Sequence, residues 1–179
     1  PLVRREVHKL VAGLKQTPGI RRVALTTNGV LLAEQLPDLL AAGLDSVNIS
    51  LDALSPEVYR AIAGRDELEA TRRGIRAALE DGLPVKLNCV PQPGLNETEL
   101  LPLAALARQL PLQVRFIEMM PIGCGAAQPS LSGREVLARL QAQWPELAPL
   151  PAAQAAGFGD GPAVYYSAPG WQGSVGLIM

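Results

Sequence analysis

Cysteine and histidine are scarce in this chain of 179 residues, and their scarcity excludes several kinds of site. The two cysteines, Cys89 and Cys124, are distant from each other and lack the spacing of metal ligands. They therefore predict neither a disulfide framework nor a metal centre. The single histidine, His8, lies beside charged residues on a predicted helix face, where we expect it to be solvated. One such histidine does not build a Ser–His–Asp catalytic triad.

An excess of charge of one sign and long apolar runs are also missing. The formal net charge is −1 at pH 7, which gives no electrostatic basis for binding nucleic acid or a membrane surface. No apolar run reaches the roughly 20 residues that a membrane-spanning helix needs, and the N-terminus has no basic-then-apolar signal pattern. We therefore expect a soluble, cytoplasmic protein with one folded core.

What the chain does contain is a series of short apolar runs that each end in polar residues. These runs are predicted strands at about residues 22–26, 46–50, 85–90 and 113–118. Between them apolar residues recur at helical spacing, as in the predicted helix at 67–81. Strands that alternate with helices are typical of a parallel sheet or an α/β barrel. In both folds the site lies at the carboxyl ends of the strands.

Two capping boxes and a terminal hairpin are also predicted. Asn96 with Glu99, and Ser132 with Glu135, have the spacing of capping boxes, which predicts a helix after each. Two runs with strand character, separated by turn residues, predict a β-hairpin at 163–179.

One face of the predicted sheet carries polar residues, because side chains alternate between the two faces along each strand. The polar set is Thr26, Asn28, Asn48, Ser50, Lys86 and Asn88. In a barrel these side chains would point inward, where interiors are ordinarily apolar. They would then need a ligand, water or internal pairing to satisfy them. We predict a bound polar ligand; the alternative is a hydrogen-bonded network that only holds the sheet together.

Lys86 is the most informative residue of this set. An inward-facing lysine is costly unless it meets an anion or loses its proton. Its functional interpretations are a phosphate or nucleotide contact and a Schiff-base amine. The structural alternative is a salt bridge to Glu118 on the neighbouring strand.

The loop after the fourth strand carries weaker signals. The string Gly123-Cys124-Gly125 looks like part of a phosphate-binding turn, but no glycine follows at the required spacing and no helix opens there. Met119 and Met120 are of a type that more often packs than contacts a cofactor. By themselves these residues predict no site.

Four strings, in order along the chain, carry a family resemblance. They are Leu25-Thr26-Thr27-Asn28-Gly29, Val47-Asn48-Ile49-Ser50-Leu51-Asp52, Val85-Lys86-Leu87-Asn88, and Arg115-Phe116-Ile117-Glu118-Met119-Met120-Pro121-Ile122-Gly123. Together they resemble the GTP 3′,8-cyclases of molybdenum cofactor biosynthesis, which are radical S-adenosylmethionine (SAM) enzymes. The resemblance covers nearly the whole chain.

The resemblance implies a fold and a set of site residues. The implied fold is α/β, a partial (β/α) barrel of the radical SAM type with a C-terminal β-hairpin extension. Thr26 and Lys86 match family positions that contact the GTP substrate. Ser50 and Met120 match positions that contact SAM.

The resemblance also implies a reaction and its partners. Family members use SAM and two 4Fe–4S clusters. A SAM-derived radical removes hydrogen from the ribose of GTP, and a carbon–carbon bond closes onto the guanine base. The second cluster helps to hold the guanine. The product passes to the pyranopterin phosphate synthase, and the family suggests a homodimer.

The departures from the family pattern shape the expectation for this chain. The cysteine motifs of both clusters would lie outside it, and Cys89 and Cys124 match neither. We expect a core portion that is inactive alone; 5′-deoxyadenosine formed after cluster reconstitution of this chain would contradict that. We also expect a partial barrel at 1–143, then a linker and the start of the extension at 144–179, within one structural unit.

Other functions remain open at this point. Within enzymes, the alternatives are a different radical SAM enzyme and an aldolase-like barrel that forms a Schiff base on Lys86. A third class is a binding module that retains affinity for GTP or SAM without chemistry. The plainest alternative is an α/β domain with no activity.

Overall fold

A single mixed sheet of seven strands organises the described part of the molecule. The computed structural model describes residues 1–120, 129–155 and 161–179. The strands are β1 (Ala24–Thr27), β2 (Ser46–Ser50), β3 (Val85–Cys89), β4 (Gln113–Ile117), β5 (Ala148–Pro149), β6 (Val164–Ser167) and β7 (Ser174–Ile178). Their spatial order is β1-β2-β3-β4-β7-β6-β5.

Helices connect the strands and cover one face of the sheet. They are α1 (Val7–Gln16), α2 (Leu32–Ala41), α3 (Pro56–Ala63), α4 (Leu68–Glu80), α5 (Leu100–Gln109), α6 (Gly133–Gln143) and the one-turn α7 (Ala152–Ala155), with a short 3₁₀ helix (Glu97–Glu99) before α5. None of these helices is long and apolar enough to cross a lipid bilayer.

The predicted alternation of strands and helices is confirmed. Strands β1 to β4 pair in parallel, and β7 joins β4, also in parallel. The predicted terminal hairpin is confirmed as β6 and β7, which pair antiparallel. Parallel neighbours need crossover connections, and the intervening helices supply them. The carboxyl ends of β1 to β4 therefore meet at one edge of the sheet, where a site is expected.

The core lies between the helices and the apolar face of the sheet. Side chains such as Val47, Leu87 and Val114 are fully buried there, one strand beside the next. Helix α4 approaches the turn after β1 so closely that a Cβ on Gly74 would lie 2.5 Å from the Gly29 carbonyl oxygen. A glycine is therefore required at this contact, because no other side chain fits.

The first strand starts later than predicted, whereas one predicted capping box is present. The first strand begins at Ala24 rather than near residue 22, because the Val23 N–H donates to the Asp45 carboxylate at 2.6 Å and not to a neighbouring strand. The capping box of Ser132 and Glu135 is confirmed: the Glu135 N–H donates to the Ser132 hydroxyl at 3.3 Å, and the Ser132 N–H donates to the Glu135 carboxylate at 2.9 Å.

The predicted capping box of Asn96 and Glu99 is wrong. The buried Asn96 amide instead donates to the carbonyls of Asp52 at 3.0 Å and Val90 at 3.2 Å, and its oxygen accepts from Gln92 N–H at 2.7 Å. Asn96 makes no side-chain cap, and a 3₁₀ turn stands where the helix was predicted to start. Bridging two loops satisfies more buried backbone groups than a cap would, which explains the outcome.

The segment 144–155, where we expected the linker to begin, contains secondary structure. Strand β5 and α7 lie in it, and the Trp144 ring makes an edge-to-face contact with Trp171, with centroids 5.2 Å apart. This contact ties the end of α6 to the turn between β6 and β7. Residues 156–160 lie outside the described part, as does the string around Cys124.

Candidate functional site

The polar residues predicted from alternation do share one face of the sheet. The register places Thr26, Asn48 and Lys86 in one row across β1, β2 and β3. Ser50 and Asn88 form the next row toward the carboxyl ends. Neighbouring strands lie about 4.8 Å apart, and the two rows are separated by about 6.6 Å. Thr26 and Lys86 thus lie in the same row on either side of Asn48, about 9.6 Å apart between backbones, and Ser50 lies one row farther toward the carboxyl ends.

Arg115 links the two rows and was not singled out by the sequence analysis. Its Nε donates to Asn88 Oδ1 at 2.8 Å, and its Nη2 donates to Asn48 Oδ1 at 3.1 Å. Asn48 Nδ2 in turn donates to the Thr26 hydroxyl at 3.1 Å. The alternation that marked Lys86 also marks Arg115, since it lies between the buried Val114 and Phe116 on β4. Internal pairing therefore satisfies part of this polar face.

Lys86 is half-buried in a positive environment. Its pKa is lowered, mainly by burial and then by the nearby positive charges of Arg115 and Arg22. The proposed salt bridge to Glu118 is wrong. Lys86 lies opposite Gln113, so Glu118 is five residues farther along β4, about 17 Å away, which is beyond the reach of a lysine. The Glu118 carboxylate instead accepts from Gly133 N–H at 3.1 Å.

A cavity of about 350 Å³ opens at the carboxyl ends of β1 and β2. Asn28, Ser50 and Asp52 line it from the strand ends, and Tyr59 and Arg65 line it from α3 and the turn after it. Burial raises the pKa of the Asp52 carboxyl, although the Val90 N–H donates to it at 2.8 Å. The cavity therefore offers hydroxyl, amide, carboxyl and guanidinium groups around a space suited to part of a polar ligand.

The loop that follows Ser50 is held by buried polar groups. The Glu99 carboxylate accepts from the N–H groups of Leu54 at 2.6 Å and Ser55 at 3.2 Å. Asn96 binds the Asp52 carbonyl from below the same loop. Sequence reasoning assigned both residues to a helix cap, so it missed this role. No local pattern could have revealed it, because the bonded groups are more than 40 residues apart in sequence.

Met120 lies at the edge of this arrangement. It follows β4 by three residues and 65% of its surface is exposed. Thr26, Ser50 and Lys86 face the open side of the sheet together, whereas Met120 lies beyond the strand end. The assignments of Thr26 and Lys86 to GTP, and of Ser50 and Met120 to SAM, stay predictions.

The described residues do not fit an iron–sulfur cluster. No group of three or more His, Cys, Asp or Glu side chains in the described ranges could hold a metal ion. Cys89 is buried against Asp52 and Glu99, and burial, followed by these carboxylates, raises its pKa well above the usual value. Clusters are bound by thiolates, and this site keeps the thiol protonated.

A match to a protein family decides the affiliation of the chain. The model of the radical SAM superfamily matches residues 1–107. The chain belongs to the radical SAM superfamily. A solved domain of pyruvate-formate lyase-activating enzyme from Bacteroides vulgatus superposes with a TM-score of 0.59 at 16% identity, covering 76% of this chain and 81% of that domain. At this identity the likeness concerns the fold alone, and it agrees with the predicted partial barrel.

The similar sequences carry two names, GTP 3′,8-cyclase and molybdenum cofactor biosynthesis protein 1. The chain is 44% identical to the GTP 3′,8-cyclase of Moorella thermoacetica over 99% of its own length and 54% of the relative's. It is 43% identical to molybdenum cofactor biosynthesis protein 1 of Bos taurus, again over 99% of its length but 28% of the relative's. The human protein of that name is 42% identical over the same shares. The chain thus spans about half, or less, of these relatives.

Proposed function

We propose that this chain forms the substrate- and cofactor-binding sheet of a radical SAM GTP 3′,8-cyclase, which converts GTP to the cyclised pterin precursor of the molybdenum cofactor. The observation that carries the proposal is the shared polar face: Thr26 and Lys86 stand in one row, with Ser50 directly above. Relatives over 40% identical across nearly the whole chain, named for this activity, support it.

The chain's own residues have distinct roles in this proposal. Lys86 binds a phosphate group of GTP, because its ammonium lies among positive charges where an anion relieves repulsion. The Thr26 hydroxyl already accepts a hydrogen bond from Asn48, and its O–H donates a hydrogen bond to the nucleotide. Arg115 positions Asn48 and Asn88, so that the polar face is ordered before the ligand arrives.

The described residues include candidates for binding SAM but none for binding an iron–sulfur cluster. Ser50, with Met120 from the end of β4, would hold SAM beside the cavity at the carboxyl ends of β1 and β2. SAM, bound with a 4Fe–4S cluster, supplies the radical that starts the reaction in this superfamily. The described residues hold no cluster, so no step on this chain is assigned to one.

Further features of the proposal follow the family. The product would pass to the pyranopterin phosphate synthase, the protein would act in the cytoplasm, and two copies would form a homodimer. The barrel portion would span 1–143 and the extension would begin within 144–179.

Binding measurements with paired variants test the proposal. Isothermal titration of the chain with GTP should show saturable binding, and Lys86→Ala should weaken it at least about tenfold, since a charge-assisted contact contributes roughly 1.5–3 kcal/mol. Lys9→Ala, which removes an exposed lysine on α1 that is paired with Glu6, should leave the affinity unchanged. Ser50→Ala should lower SAM affinity without changing GTP affinity. An absence of saturable GTP binding, or equal effects of the two lysine variants, would contradict the proposal.

The lowered pKa of Lys86 also favours a second candidate, an aldolase-like enzyme that forms a Schiff base. A lysine with a larger neutral fraction is a better amine nucleophile. Borohydride treatment in the presence of an aldehyde panel would then fix an adduct on Lys86. No adduct on that residue would end this candidate and leave the nucleotide proposal intact.

A further inference from the structure

A second cavity lies at the opposite, amino-terminal rim of the sheet, and its charged lining residues are both cations. Its volume is about 330 Å³. Arg22, just before β1, and Lys86, on β3, face it together with Gln113 at the start of β4. The other lining residues are apolar or glycine, so the described lining of this cavity contains no carboxylate. We call it the rim cavity.

We propose that the rim cavity binds the phosphate tail of a nucleoside triphosphate, with Arg22 as a phosphate-binding residue beside Lys86. This inference rests on the proposed function, because it takes the ligand of Lys86 to be GTP. It adds a residue and an orientation: the phosphates lie toward the amino-terminal rim, and the nucleoside lies toward the carboxyl ends of the strands.

The electrostatics of the rim cavity favour an anion. Arg22 is close enough to Lys86 for its charge to act on that ammonium. Asp45 lies near Arg22, but its carboxylate is already engaged: it accepts from Lys15 Nζ at 2.9 Å and from Val23 N–H at 2.6 Å. Two converging cations around a concave space are the arrangement that polyphosphates bind.

The layout of the sheet favours a ligand that extends from the rim cavity along the polar face. Lys86 shares a row with Thr26, yet it also lines the rim cavity, so it stands between the two ends of the polar face. Ser50 and the cavity at the carboxyl ends lie at least one row farther on. A free phosphate would contact only the rim, whereas a nucleoside triphosphate can reach from Arg22 past Lys86 to Thr26.

The chain offers a matched control for Arg22. The adjacent Arg21 is also exposed, and its described contact is through its backbone carbonyl, which accepts from Lys15. Arg22→Ala and Arg21→Ala therefore remove the same charge from neighbouring positions, and only the first removes a rim-cavity residue. Neither side chain is buried, so both variants should fold.

Titrations of both variants with GTP, tripolyphosphate, guanosine and inorganic phosphate test the inference. Arg22→Ala should weaken binding of GTP and of tripolyphosphate by about threefold to tenfold relative to Arg21→Ala, as expected for loss of one partly exposed charge-assisted contact. Guanosine affinity should be the same in the two variants. In the unsubstituted chain, inorganic phosphate should bind more weakly than tripolyphosphate.

The other outcomes show whether the role of Arg22, the GTP assignment or both are wrong. If GTP binds and depends on Lys86 but equally in both arginine variants, the role of Arg22 is wrong and the proposed function stands. If tripolyphosphate binds through Arg22 but GTP does not bind, the anion site stands and the GTP assignment fails. If inorganic phosphate binds as tightly as tripolyphosphate, or nothing binds, the inference is overturned.

Discussion

At the scale of single residues, Arg115 is central to the polar face, although the sequence did not mark it as a site residue. Its hydrogen bonds connect both rows of polar side chains. Its planar guanidinium bridges Asn88 and Asn48 on two strands, and Asn48 passes the connection to Thr26. It also hydrogen-bonds Tyr165, whose pKa is raised by burial despite that contact. One side chain thus joins β1, β2, β3, β4 and the hairpin strand β6.

We expect Arg115→Ala to lower the free energy of unfolding by about 2 kcal/mol, because it leaves two half-buried amide oxygens without a charged donor. Arg115→Lys should recover only part of this loss, since an ammonium does not reproduce the two-pronged geometry. Urea denaturation followed by circular dichroism measures both values. The exposed Arg73→Ala serves as control. A loss for Arg115→Ala no larger than for the control would contradict the bridging role.

At the scale of elements, the packing of α4 against the turn after β1 positions Asn28 at the end of that strand. The buried Thr71 on α4 donates to the Asn28 carbonyl at 3.0 Å, and its hydroxyl lies 3.3 Å from that of Tyr59 on α3. Gly74, one turn farther along α4, allows the helix to touch the Gly29 backbone. This contact holds the turn that carries Asn28 into the cavity at the carboxyl ends.

Gly74→Ala should therefore be destabilising although alanine favours helices. The new Cβ would lie 2.5 Å from the Gly29 carbonyl oxygen and 3.1 Å from Leu32 Cβ, so α4 must move away from the turn. We expect a loss of about 1–3 kcal/mol, typical of overpacking. Gly13→Ala on α1 is the matched control: nothing lies within 4 Å of its Cβ, and it should gain up to about 1 kcal/mol. Thermal unfolding of both variants gives the comparison. If both substitutions change the stability in the same direction, the close contact at Gly74 is refuted.

At the scale of the whole molecule, stability against acid depends on how the first helix is tied to the sheet. Asp45, before β2, binds Lys15 at the end of α1 and the Val23 N–H before β1. Burial alone would raise the pKa of this carboxyl, but the Val23 and Lys15 hydrogen bonds outweigh it, and the pKa is lowered.

A lowered folded-state pKa means that the ionised Asp45 stabilises the fold above its unfolded pKa of about 3.9, and that this contribution is lost as pH falls through the folded-state pKa. Asp45→Asn should thus be less stable than the unsubstituted chain at pH 7, and the gap should shrink between about pH 4 and the folded-state pKa. Chemical denaturation across this range, with the exposed Asp38→Asn as control, measures it. A gap that does not change with pH would contradict this assignment.

The amino-acid sequence was enough to predict the strand–helix alternation and the sorting of polar and apolar side chains between two faces of the sheet. It also determined the terminal hairpin and the capping box at Ser132. These features depend on spacings of two to four residues, which a local pattern contains.

Which of these residues come into contact depends on the tertiary structure. The register between strands excludes Glu118 as the partner of Lys86 and brings Arg22 to the same cavity. The Asn96 side chain does not cap the helix, because its amide instead donates to the buried carbonyls of Asp52 and Val90. Such contacts join residues far apart in sequence, and their free energy depends on burial and distance, neither of which a one-dimensional pattern specifies.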